Sequence, residues 1–207
     1  MYIFIFLAFL SSAYAQIIVS GTCGNETINT DTDFFNMTAL ATWQEVQRIT
    51  NQLEVGQCSS ITPRQRTNTN NTSSDMLIIR EVVNGTARYL NGSVSAYLNK
   101  KITVNFTGVV IYLRVLITDS TNYALVYGCR DVANNTKAVY GWKLSRSTTL
   151  SSSDLATVNA AVDGTDLQNL PWTTVSHSGE SCKVNSAVTS KMSILLSILA
   201  AIFAMVK

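Results

Sequence analysis

Between Trp43 and Arg146 the chain alternates between short runs rich in Val, Ile, Tyr and Thr and short breaks of Asn, Gly, Ser or Asp. Apolar residues recurring at period two within such runs predict strands whose successive side chains point to opposite faces. Eight strands are predicted, at Trp43–Ile49, Ser59–Asn68, Met76–Val83, Ala87–Tyr97, Lys101–Phe106, Val109–Thr118, Asn122–Arg130 and Thr136–Arg146. Turn dipeptides join most of them: Asn84-Gly85, Asn99-Lys100, Thr107-Gly108, Asp119-Ser120 and Asn134-Asn135. Asn-Gly is the strongest short hairpin signal of these. Short links with no intervening helix predict antiparallel, up-and-down connectivity. Eight such strands predict a closed barrel, because closure removes the two exposed sheet edges.

The pattern also predicts the inside of that barrel. On Val109–Thr118 the set Val109, Ile111, Leu113, Val115 and Ile117 is purely apolar, whereas Tyr112 and Arg114 fall on the other face. The apolar set is assigned to the interior. The alternation stops at Ser151-Ser152-Ser153-Asp154, a run of helix N-cap candidates. Leu155, Val158, Ala161 and Val162 then recur at helical spacing and Gly164 closes the segment, predicting one helix over Ser153–Asp163, packed outside the barrel. A short strand is expected near Thr173–Val175. The fold class is therefore all-β: an eight-stranded antiparallel up-and-down barrel with one C-terminal helix on its outside. Trp43, at the entrance to the first strand, reads on its own either as an ordinary core residue or as a plug for one end of the barrel.

The two ends of the chain do not follow this pattern. Residues 1–15 are apolar up to Ser11-Ser12, followed by Ala13-Tyr14-Ala15. This is the layout of a secretory signal peptide with an A-x-A cleavage site, although its basic n-region is missing. Residues 192–206 form a second apolar run of fifteen residues, shorter than the ~20 a spanning helix needs. Before it stand the small residues Asn185, Ser186 and Ala187 and the spacer Val188-Thr189-Ser190-Lys191. That order is the layout of a GPI-attachment signal, with Asn185 as the attachment point and residues 186–207 removed. A retained membrane helix is the alternative. The domain is expected to span residues 16–185, on the extracellular face of the plasma membrane or secreted.

Composition narrows the chemistry. Net charge is +2 with scattered basic residues, which argues against a nucleic-acid partner. The four cysteines, Cys23, Cys58, Cys129 and Cys182, imply two disulfides in a secreted chain, with three possible pairings. No C-x-x-C spacing is present, so neither a zinc site nor a redox motif is expected. Sequons begin at Asn25, Asn36, Asn70, Asn71, Asn84, Asn91, Asn105 and Asn134, predicting a sugar-coated surface. His177 is the single histidine, and Ser176 and Ser178 beside it do not make a triad. Glu45 shares the face of Trp43 but has no evident partner for acid–base work. No nucleotide, hydrolase or metal-protease motif occurs. An enzyme is not expected, nor is any cofactor or metal.

Three separated segments carry a resemblance: Ala41-Thr42-Trp43-Gln44-Glu45, Thr118–Cys129 with its Thr118-Asp119-Ser120 start, and Trp142-Lys143-Leu144-Ser145-Arg146. In this order they resemble the three signature regions of the lipocalin family. The cysteine positions are similar to those of the branch containing apolipoprotein D, insect bilin-binding protein and Lazarillo. The resemblance implies the bonds Cys23–Cys129 and Cys58–Cys182. It implies that Trp43 and Arg146 close the barrel floor, one stacked on the other. Arg146 pointing inward carries Leu144, Trp142 and Tyr140 inward too. The ligand-binding interior is thus expected to include Tyr140, Trp142, Val109, Ile111, Leu113, Val115 and Tyr127. Three positions in two of these segments depart from the family pattern: Ala41 and Gln44 stand where Gly and an aromatic are usual, and Ser120 stands for Tyr. The implied function is binding or transport of a small hydrophobic ligand of fatty-acid, sterol, retinoid or bilin type, at a membrane to which a lipid anchor tethers the chain. The alternative is a Lazarillo-like cell-surface recognition glycoprotein. It would act on a protein partner through its glycans and its loops, including the polar segment Arg64–Asp75.

Overall fold

A computed structural model describes residues 16–24, 41–67, 73–98 and 101–185. The expected signal peptide, the apolar tail and the sequons at Asn25, Asn36, Asn70 and Asn71 lie outside these residues. The elements are β1 (Ile18–Ser20), β2 (Trp43–Ile49), β3 (Gln57–Thr67), β4 (Ser73–Val83), β5 (Thr86–Leu98), β6 (Lys101–Phe106), β7 (Val109–Thr118), β8 (Tyr123–Asp131), β9 (Thr136–Ser145), α1 (Ser152–Ala160) and β10 (Trp172–Thr174). From β2 to β9 each strand pairs antiparallel with the next, and β2 also pairs with β9. That last ladder closes the predicted eight-stranded barrel. β1 and β10 add short outer strands on β9 and β2.

Up-and-down order sorts the loops onto two ends. Loop 50–56 and the β4–β5, β6–β7 and β8–β9 turns lie at one end, here the upper end. Trp43 and the β7–β8 turn lie at the other, the floor. Alternation then sorts the side chains. Ile61, Leu77, Ile79, Val104, Phe106, Ile111, Leu113, Val115, Val126, Tyr140, Trp142 and Leu144 form the inner cluster with Trp43. Leu125, Tyr127, Cys129, Val139 and Ile49 form an outer cluster under α1 and the segment after it. Gly128 on β8 is required by packing: a Cβ there would meet Trp142 at 2.9 Å and Tyr140 at 3.0 Å.

Two predicted interior residues are corrected. Tyr127 belongs to the outer cluster, and its hydroxyl donates to Asp166 at 2.9 Å; its neighbours Val126 and Gly128 take the inward parity. Ile117 also packs outside, because the register shifts between Val115 and Ile117. Such an irregularity breaks the period-two rule that the sequence reading applied.

The disulfides Cys23–Cys129 and Cys58–Cys182 are formed, with Cα separations of 5.7 and 5.1 Å. The first fastens the N-terminal segment to β8. The second fastens the C-terminal segment to β3. Each closes a loop of more than 100 residues, a constraint on the unfolded chain worth about 4–5 kcal/mol in the chain-entropy account. In α1, Ser151 is the N-cap and accepts from the Asp154 N–H, so Asp154 is a first-turn residue rather than the cap. The helix is shorter than predicted because i→i+3 bonds from Val162 to Asn159 and from Asp163 to Ala160 tighten the chain after Ala160. On the barrel's outer wall the Lys143 ammonium donates to Asn159 of α1 and to Gln47, and lies 4.2 Å from the centre of the Trp172 ring.

Candidate functional site

The floor forms as a stacked pair. Trp43 is fully buried, and the Arg146 guanidinium lies 3.7 Å from its ring centre. Arg146 stands just past the end of β9, where its N–H donates to the Asn122 carbonyl and its Nη1 to the Thr42 carbonyl. A guanidinium on an indole face contributes ~0.5–2 kcal/mol, depending on desolvation. Asp119 organises the adjoining turn. Burial pulls its carboxyl upward, but the N–H groups of Asn122, Tyr123 and Thr121 outweigh burial and hold it well below the usual carboxylate range.

Above the floor the wall formed by the described residues is apolar and closely packed. Tyr140 and Trp142 stack with ring centres 6.0 Å apart and a 6° tilt. They meet Ile111, Leu113 and Val115 from β7, with Val109 packed at the edge. The void left between Ile61, Leu77, Ile79, Phe106, Leu113, Val126 and Trp142 measures only about 10 Å³. A single water needs about that much, whereas pockets for small organic ligands run to roughly 300–1,000 Å³. Among the described residues the interior around Trp142 is therefore packed rather than an open cup.

What occupies the upper interior is polar and comes partly from a loop. Glu45, Asn51, Glu54, Ser59 and Glu81 are all buried, as is Arg48. Glu45 and Arg48 sit opposite the inward residues Leu144 and Trp142 in the β2–β9 ladder, and their side chains pair at 3.2 Å. Loop 50–56 turns down onto them. Its Glu54 carboxylate accepts from the Trp142 indole N–H at 2.7 Å. Asn51 Oδ1 accepts from the N–H groups of Leu53 and Glu54, which sets the turn. Arg48 and Arg88 donate to the Gly56 and Leu53 carbonyls. Glu81 accepts from the Gly56 N–H at 2.6 Å and pairs with Arg88 at 3.0 Å. These contacts are hydrogen bonds and ion pairs, and Leu53 of the same loop packs against the inner apolar cluster, so the loop is a stopper held mainly by polar groups.

Burial shapes this cluster's protonation. Burial first, and the Glu54 carboxylate second, push the Glu45 carboxyl well above its usual value of 4.5. Glu81 is also raised, by burial, with the Gly56 N–H and Arg88 opposing it. Burial thus favours the neutral form of both Glu45 and Glu81. Burial likewise raises the Tyr140 hydroxyl, against a hydrogen bond from Arg130.

The structure brings together Tyr140, Trp142, Val109, Ile111, Leu113 and Val115 and places Tyr127 apart. The sequence reading missed the polar roof. Glu81 was legible from its parity with Leu77 and Ile79. Glu45 was read as partnerless because its partners come from loop 50–56 and from Arg48, which lies past a bulge between Glu45 and Gln47. His177 rests on the outside, its Nε2 2.8 Å from the Glu45 carbonyl oxygen. It lies beside Cys58 and Cys182, whose sulfurs are consumed by their disulfide, so this group offers no thiolate to a metal. Asn84, Asn91 and Asn134 are exposed, and Asn105 is half-buried.

No family model matches the sequence, and no curated protein matches it. Solved structures do match in fold. Insecticyanin from the tobacco hornworm Manduca sexta is 19% identical, with a TM-score of 0.65 over 83% of this chain and 94% of its own. Lobster apocrustacyanin A1 is 14% identical, with a TM-score of 0.63 over 79% and 92%. The cockroach allergen Per a 4 is 19% identical, with a TM-score of 0.51 over 68% and 85%. These likenesses establish the lipocalin fold.

Proposed function

We propose that the chain is a lipocalin-family protein that binds and carries one small hydrophobic molecule, outside the cell and tethered by a lipid anchor. The observation that carries this reading is the stopper. Loop 50–56 closes an apolar barrel with Leu53 packed on the inner cluster and with a set of polar contacts, and those polar contacts exchange readily with water once the loop lifts. A ligand is admitted when the loop leaves and Trp142 loses its Glu54 acceptor. The apolar wall around Ile111, Leu113, Tyr140 and Trp142 then receives the hydrocarbon, and Glu45, Arg48 and Glu81 meet any polar head. Fatty acid, sterol, retinoid and bilin all fit this description. Two disulfides fit an oxidising compartment, and the apolar stretch 192–206 supports tethering through Asn185. Among the described residues no helix is long and apolar enough to cross a membrane.

The filled interior favours a second reading, in which the barrel is a solid scaffold and a surface partner is recognised by loops and glycans. Titration of a fluorescent fatty acid against the wild type and Asn51→Ala separates the two. Carriage predicts saturable single-site binding, with faster association in Asn51→Ala because the loop turn is lost. Recognition alone predicts no saturable binding in either protein.

A further inference from the structure

We infer that the barrel is held with its upper end, the end closed by loop 50–56, toward the bilayer and its Trp43–Arg146 floor away from it. The inference rests on the tethered reading given above and adds the orientation. The C-terminal segment meets β2 at its upper end, where Trp172 lies opposite Ile49, runs down the outside of β2 to Val46 and crosses to the start of β3. The Val175 N–H donates to the Val46 carbonyl, and Ser176 bonds both Cys58 and Gln57. The Cys58–Cys182 bond then fixes the segment covalently. It ends on the β4–β5 hairpin, where the Asn185 N–H donates to the Gly85 carbonyl at 2.7 Å. Asn185 is therefore pinned at the upper end, the same end as loop 50–56, whose Gly56 is bonded to Glu81 just before that hairpin.

Either form of tether starts from this point. A lipid attached at Asn185 begins there directly. A retained tail reaches Met192, where its continuous apolar run begins, over seven residue steps, at most about 25 Å. A strand of ten residues rises about 33 Å and, tilted as in a barrel, spans about 25 Å from end to end. A floor-down barrel would thus need the retained linker fully stretched along its whole length. The surface agrees. The large exposed hydrophobics among the described residues are Ile18, Tyr89, Val110, Val132 and Val184. Val132 is in the β8–β9 turn, Val110 is the second residue of β7, Val184 adjoins Asn185, Ile18 lies opposite Ala138 in the upper part of β9, and Tyr89 stands on the upper half of β5. Sugars carried on Asn84 or Asn134 at this end would set the spacing from the lipid without reversing the orientation. With the mouth toward the lipid, a hydrophobic ligand passes between bilayer and barrel without crossing bulk water.

The test uses the full chain displayed on its host cells, labelled with a donor dye at Val132→Cys or at Thr121→Cys, with an acceptor lipid in the outer leaflet. Ala133→Cys and Thr148→Cys form a second pair should either first variant misfold. The ~25 Å between the ends makes transfer from the upper label stronger by about twofold or more. Equal transfer, or stronger transfer from the floor label, overturns the orientation while leaving the tether intact. Absence of labelled protein from the cell surface overturns the tether, and the orientation with it.

Discussion

At the scale of single residues, charge burial sets the pH behaviour. Glu45 and Glu81 have folded pKa values raised above the usual 4.5. Their contribution to stability is fully present below that value and is lost as pH rises through the raised folded value. Glu45→Gln is isosteric with the protonated acid, so urea midpoints measured from pH ~4 to ~8 should fall less steeply with pH in the variant than in the wild type. An unchanged slope would mean that Glu45 is ionised at neutral pH. Asp119 acts in the opposite sense. Its carboxyl is lowered, so its contribution is present above the usual 3.8 and disappears only as pH falls through its lower folded value. Asp119→Ala should cost about 1 kcal/mol at neutral pH after screening at this exposed turn. The cost should be absent in strong acid, read by the same denaturation series.

At the scale of elements, strand and turn signals were legible because period two and turn chemistry are local properties. Asn84 has a φ of 51° and Gly85 of 73°, the left-handed backbone that the Asn-Gly pair accommodates. Strand placement followed to within a few residues. The failures occur where a local rule is interrupted. Register shifts at Val115/Ile117 and at Glu45/Gln47 sent Ile117 outward and brought Arg48 inward. β1 was not predicted. Loop 50–56 was not recognised as a lid, since nothing in its sequence says that it folds into the barrel. Its integrity depends on the Asn51 turn. Asn51→Ala should therefore speed amide hydrogen exchange at Leu53, Glu54 and Gly56 while leaving the β6–β7 ladder unchanged. Uniform acceleration across the sheet would instead mark global destabilisation.

At the scale of the whole molecule, the cysteine pairing and the Trp43–Arg146 stack were implied by the resemblance rather than by pattern, and both stand in the structure. The contents of the barrel were not legible at all. Whether a barrel is a cup or a solid core depends on side-chain volumes summed across eight strands and on one loop that dips between them. The same apolar residues serve either state, and the choice between them rests on the contacts, mostly polar, that hold loop 50–56 down. Native mass spectrometry of the protein purified from the cells that make it tests this most directly. The account predicts a small hydrophobic molecule retained at one per chain, and exchanged faster from Asn51→Ala. The bare protein mass in both, with no uptake from a mixed lipid extract, would contradict it and leave the barrel as a scaffold.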